Sequence, residues 1–121
     1  MKKTLIVGAT PNTGRYAFLA AEMLTDYAHE FVPLGIKKGE VLGQQILDIK
    51  QKPSIQEIDT ITLYIGPDHQ HEWYDYLLSL KPKRIIFNPG TENRVFEQMA
   101  KAQGVEALQA CTLVLLRSGQ Y

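Results

Sequence analysis

Two kinds of stretch alternate along the chain: short continuous apolar runs, and longer stretches in which apolar residues recur three and four positions apart. The first run, Thr4 to Val7, ends at Gly8 and suits a strand buried on both faces, as strands of a parallel sheet are. From about Arg15 to Tyr27, helical spacing of Ala17, Ala20, Ala21, Leu24 and Ala28 predicts a helix whose small side chains let it lie close to a sheet. Glu30 to Leu34 reads as a second strand, with Pro33 near its end marking where ladder pairing should stop. Gly35 to Ile46 carries three glycines and reads as loop with a short extended piece. Ser54 and Glu57 match the capping box, which predicts a short helix after Pro53.

Thr60 to Ile65 is a β-branched strand stopped by Gly66 and Pro67, after which Asp68 is placed to cap a helix carrying Trp73, Leu77 and Leu80. Arg84 to Phe87 is a further strand, closed by Asn88, Pro89 and Gly90. A helix beginning at Thr91 or Asn93 carries Val95, Phe96, Met99 and Ala100 and stops at Gly104, and Val105 to Leu108 is the last strand. The tail from Cys111 onward fits strand or helix, since a short apolar run does not reveal its period.

Strands that alternate with helices in this way predict an α/β fold: a three-layer, doubly wound, mostly parallel sheet of about five strands, Rossmann-like in kind. Ligands of such sheets bind beyond the carboxyl ends of the strands, which selects four stretches: Gly8 to Arg15, Gly35 to Lys38, Gly66 to Asp68, and Asn88 to Asn93.

Composition narrows the partners. At 121 residues the chain is expected to be one domain, 1–121. Apolar residues at 45% and charged residues at 21% argue against disorder. Thirteen basic residues balance thirteen acidic ones, so no global field draws the protein to nucleic acid or to a membrane, and any anion site must be local. The single cysteine, Cys111, points to a cytoplasmic setting, and no run reaches the roughly 20 apolar residues of a membrane span.

The first of the four loops joins a strand to a helix, so its amides and the positive end of the helix face any bound anion. Gly8 allows a tight turn, Gly14 a close backbone approach, and Arg15 can pair with a phosphate through its planar fork. The loop is neither a dinucleotide fingerprint, since Thr10 and Thr13 stand in place of glycines, nor a Walker loop. After the second strand, where an NAD site carries an acid, the sequence has Lys37 and Lys38; a phosphorylated ribose, as in coenzyme A or NADP, is the better match.

The set VGATPNTGRY, VPLGIKKGEVLG, DTITLYIGP, FNPGTEN and EALQACT resembles the small stand-alone CoA-binding proteins of Rossmann-like fold, which are similar in turn to the N-terminal CoA-binding domain of the succinyl-CoA synthetase α subunit. The resemblance implies coenzyme A or an acyl-CoA as ligand. It implies that Gly8, Ala9, Thr10 and Arg15 cradle the pyrophosphate, with Asn12 and Gly14 in the same loop. Pro33, Gly35 and Lys37 or Lys38 would border the adenine and the 3′-phosphate; Ile65, Gly66 and Pro67 would lie against the adenosine or the pantetheine; Asn88, Pro89 and Gly90 would close the far side.

No catalytic constellation stands out. His69 and His71 are two apart at a helix start and point in different directions, so no metal site is expected, and His29 reads as a turn residue. The expectation is a non-catalytic module that binds CoA or acyl-CoA, as a carrier or a regulatory unit. A small NADP-binding protein or reductase fragment is the first alternative. A subunit-interaction protein without ligand is the second, with Trp73, Leu115, Leu116 and Tyr121 at a homodimer interface.

Overall fold

The computed structural model describes residues 1–121. The elements in chain order are β1 (Thr4–Val7), α1 (Tyr16–Asp26), β2 (Phe31–Gly35), β3 (Glu40–Val41), β4 (Gln44–Gln45), β5 (Leu47–Asp48), β6 (Thr60–Leu63), α2 (Tyr74–Ser79), β7 (Arg84–Phe87), α3 (Arg94–Ala102), β8 (Glu106–Gln109) and α4 (Thr112–Arg117). Single turns of 3-10 helix lie at Ile49–Gln51, Pro67–His69 and His71–Trp73.

Six strands form one sheet in the order β5-β2-β1-β6-β7-β8, and every pairing is parallel. In order of appearance this is 3-2-1-4-5-6, the doubly wound arrangement, so the α/β expectation holds. The five predicted strands are β1, β2, β6, β7 and β8, and the two-residue β5 extends one edge. β3 and β4 form a separate antiparallel hairpin inside the glycine-rich stretch. No helix is long and apolar enough to cross a membrane.

Residues of β1, β6 and β7 are buried throughout, because both faces of the sheet are covered. Leu5, Val7, Ile61, Leu63, Ile85 and Phe87 face α2, α3 and the segment before β6; there Phe96 meets Phe87 edge-on and stacks with Tyr74, centroids 5.6 and 4.6 Å apart. Ile6, Phe31 and Ile86 face α1 and α4, where Ala17, Ala21 and Leu24 allow the close approach their size suggested.

Several expectations fail for physical reasons. No helix forms after Pro53. The chain between Lys52 and Asp59 must cross under β2 and β1 from the edge of the sheet and return to its amino end, about 14 Å sideways and about 10 Å along the strands. Eight residues of helix would advance only about 12 Å, so the segment is extended, and Ile55 and Ile58 pack onto the sheet. Pairing also continues past Pro33: Leu34 pairs with Val7 and Leu47, and Gly35 with Asp48. Leu34 turns its carbonyl to β1, so Pro33 turns its missing N–H the other way, at a level where β5 has not yet begun.

Asp68 lies within a 3-10 turn and caps nothing; α2 begins only at Tyr74. Ala28 is not on the face of α1. It follows the helix with φ of 64°, and the Ala28 and His29 amides close the helix end on Thr25 and Leu24. The ambiguous tail is α4. Trp73, Leu116 and Tyr121, considered for a homodimer interface, are each buried within the chain's own fold.

Candidate functional site

In the 3-2-1-4-5-6 order, β1 and β6 flank the point where the windings diverge. Gly8 ends β1 there with φ of 95°, and a Cβ on it would come within 2.9 Å of Ile65 Cγ2 and 3.1 Å of the Tyr64 carbonyl carbon, so the position admits only glycine. Gly35 ends β2 equally tightly, since a Cβ there would lie 3.2 Å from both the nitrogen and the oxygen of Ala9.

That close approach changes the role of the first loop. The amides of Gly8 and Ala9 both donate to the Leu34 carbonyl, at 2.9 and 3.1 Å, so neither is available to a phosphate. This corrects the expectation for the two amides, whose residues instead shape the wall. The remainder of the loop is knit from within: Asn12 N–H donates to Thr10 Oγ1, Gly14 N–H to Asn12 Oδ1, and Arg15 N–H to the Asn12 carbonyl. The amides of Thr10, Thr13, Tyr16 and Ala17 have no partner in the chain, the last two because a helix cannot satisfy its own first turn. Arg15 occupies the N-cap of α1 with an exposed side chain that bonds to no acceptor, and no acid lies in the first turn.

Over these strand ends lies a cleft with two lobes, about 510 and 290 Å³. Gly8, Arg15, Lys37, Tyr64 and Gly66 line both and form their junction. The larger lobe extends over Ala9, Gly35, Ile36, Ile49 and Lys50 on one side and over Ile65, His69, Glu72 and Trp73 on the other. The smaller, more polar lobe runs over Thr10, Asn12, Tyr16 and Ala17 toward Pro89, Gly90 and Thr91. Burial pushes the Tyr64 phenol up to about 12, against a smaller pull from the nearby Thr62 and Thr112 hydroxyls.

Charge across the cleft is unbalanced. Arg15, Lys37 and Lys50 face it with Glu72 as the one carboxylate, whereas the ion pairs of the molecule, Lys3–Glu30 and Lys83–Asp59, lie elsewhere. A neutral protein thus presents a local positive surface to an anion.

Of the predicted positions, Gly8, Ala9, Thr10, Asn12, Arg15, Gly35, Lys37, Ile65, Gly66, Pro89 and Gly90 line the cleft. Gly14, Pro33, Lys38, Pro67 and Asn88 do not. Gly14 is held in the loop's own turn by Asn12, Pro33 is buried within β2, and Lys38 and Pro67 lie beyond the lobes. Asn88 is occupied elsewhere: its Nδ2 donates to Thr62 Oγ1 and to the Leu63 carbonyl, and its Oδ1 accepts from Thr112 N–H. It fastens α4 to the sheet. Ile49, Lys50, Tyr64, His69, Glu72, Trp73 and Tyr16 line the cleft from outside the four selected stretches, and Ile36 and Thr91 line it from within them without having been named individually. Lys50 and Ile49 arrive through the two-residue β5, too short to leave a periodic signal.

A family model described as a CoA binding domain matches residues 2–117. The curated proteins include no match. Among solved structures, a crystal structure of an uncharacterized protein is 56% identical, covers 100% of this chain and 98% of its own, and superposes with a TM-score of 0.97. A hypothetical protein from Pyrococcus horikoshii OT3 (24% identity, 97% and 82% covered, TM-score 0.83) and cell-free ID.343 from Thermus thermophilus (16% identity, 99% and 90% covered, TM-score 0.82) share the fold.

Proposed function

The chain belongs to the CoA binding domain family, and from that premise we propose that it binds coenzyme A, or an acyl-CoA, along the two-lobed cleft without transforming it. The observation that carries this reading is the junction: Arg15 and Lys37, unpaired with any acid, beside amides of the first loop and of α1 that have no partner in the chain. The pyrophosphate would sit there, accepting from the Thr10, Tyr16 and Ala17 amides and paired with the Arg15 guanidinium. The adenosine would occupy the larger lobe, with Lys37 and Lys50 beside its 3′-phosphate and Ile36, Ile49 and Ile65 against the base. The pantetheine would follow the smaller lobe past Gly90 and Thr91. The side chains near that end are Tyr16 and Thr91, and the role proposed for the protein is that of a carrier or regulatory module.

Thermal unfolding in the presence of ligands tests this. Coenzyme A at about a hundredfold above its dissociation constant should add about 2.7 kcal/mol to stability, and 3′-dephospho-CoA at the same concentration clearly less. Equal shifts would remove Lys37 and Lys50 from recognition of the ribose phosphate. A larger shift with NADP than with coenzyme A would replace this reading with the NADP one, which the missing acid after β2 also fits.

A further inference from the structure

Gln70, between the two 3-10 turns that follow β6, is wholly buried. Buried amide side chains are retained where their hydrogen bonds are complete, and these are. Its Nε2 donates to the Ile65 carbonyl and to the Thr91 carbonyl, each at 2.9 Å, and its Oε1 accepts from Asn93 Nδ2 at 2.9 Å. Asn93 Nδ2 also donates to Tyr74 Oη at 2.7 Å, while Asn93 Oδ1 accepts from Phe96 N–H and caps α3.

Ile65 is a wall of the larger lobe, Thr91 a wall of the smaller one, and Gly66 belongs to both. Sheet pairing between these two chain segments ends at Leu63 and Phe87, and Asn88 adds a last tie to the Leu63 carbonyl. Beyond that level no main-chain hydrogen bond joins the loop after β6 to the loop after β7. The Gln70 amide, held by Asn93, is the polar link between them.

We infer that Gln70 is a positioning residue, which sets the separation of the two lobe walls and thereby the affinity for a ligand that spans both lobes. The inference rests on the CoA reading. A ligand confined to the larger lobe and the junction needs only one of the walls. A ligand that continues into the smaller lobe needs both at fixed spacing. The dependence on Gln70 should therefore grow with the length of the ligand, which a purely structural role would not produce.

The test compares coenzyme A with adenosine 3′,5′-bisphosphate by calorimetry on the full chain. Gln70→Met keeps the length of the side chain and removes its hydrogen bonds. Asn93→Asp keeps the α3 cap and removes the amide donor to Gln70 and to Tyr74 Oη while leaving Gln70 itself in place, so it carries the test where Gln70→Met does not fold. In either variant the affinity for coenzyme A should fall about tenfold, while that for adenosine 3′,5′-bisphosphate changes by less than about threefold. Equal losses for both ligands, or no loss for coenzyme A, would overturn the positioning role while leaving CoA binding intact. Wild-type protein that binds neither ligand would overturn the CoA reading and this inference together.

Discussion

At the amino ends of the strands the Arg84 guanidinium lies 4.3 Å from the ring centroid of Tyr121, donates from Nε to Thr60 Oγ1 at 2.7 Å, and is buried to within 7% of its surface. At the carboxyl ends the Arg15 guanidinium is exposed, meets no acceptor, and shares its surroundings with Lys37 and Lys50. The amino end also holds His29, 4.9 Å from the same tyrosine ring, and Lys2, whose N–H donates to His29 Nδ1. Both ends collect cations. One end roofs them with an aromatic ring and hydroxyls from its own chain, which makes them part of the fold. The other leaves cations and first-turn amides together with no acceptor from the chain, the arrangement on which the proposed CoA site rests. A cation is functional evidence here only because the fold has not already used it.

The largest effect expected from this contrast is the removal of the roof. Tyr121→Ala deletes a ring that packs with Ile6 and Leu116, covers Arg84 and hydrogen-bonds the Thr4 hydroxyl. Stability should fall by about 3 kcal/mol, as for buried aromatic truncations, measured by urea unfolding. Coenzyme A binding by the folded protein should be unchanged. A variant as stable as wild type would show that the amino-end cations need no cover.

Arg15→Ala probes the opposite end. Stability without ligand should stay within about 0.5 kcal/mol of wild type, since the side chain bonds to nothing in the protein. Affinity for coenzyme A should drop about ten- to a hundredfold by calorimetry, the loss of one charge-assisted phosphate contact. An Arg15→Ala protein that binds normally but unfolds more easily would reverse the distinction between the two ends.

How far this contrast could be read in advance depended on which interactions are local. The order of apolar runs and helical stretches was enough for the parallel doubly wound sheet, and with it for the four loops that do border the cleft. Gly8, Lys37 and Gly66 were legible because each lies within three residues of a strand end, and Arg15 because it opens α1. What the chain does across strands was not. The Leu34 carbonyl takes the Gly8 and Ala9 amides only because β2 comes near enough, a closeness hinted at by Gly35 alone. Lys50 depends on a two-residue strand, and the capping-box pattern at Ser54 was overruled by the distance the segment must cover. Likewise Gln70 gains its meaning from Thr91, 21 positions away.

A smaller effect of opposite sign is expected beside the roof. Ala28 takes the left-handed conformation that ends α1, with φ of 64°, where an L side chain costs energy and glycine does not. Ala28→Gly should raise stability by about 0.5–1 kcal/mol in urea unfolding, with coenzyme A affinity unchanged. A loss of stability would mean that the residual freedom of glycine in the unfolded chain outweighs the relief.

The smallest expected effect is a pH dependence confined to the amino end. The folded protein holds His29 below its usual 6.5, first through burial, then through the N-terminal ammonium, Lys2 and Arg84, with Asp59 opposing weakly. The neutral ring is the form that fits, because Nδ1 must keep its lone pair to accept from Lys2 N–H. Unfolded chains take up a proton below pH 6.5, while the folded ring resists until lower pH. The contribution is therefore complete above 6.5 and is lost as pH falls through 6.5 toward the depressed folded value. Urea unfolding at about pH 7.5 and about pH 5 should show wild type losing more stability on acidification than His29→Gln, whose side chain does not titrate. Coenzyme A affinity should not separate the two proteins at either pH, since His29 lies at the roofed end and Arg15, Lys37 and Lys50 at the open one; parallel stability losses in the two proteins would show that His29 does not set the pH dependence of the roofed end.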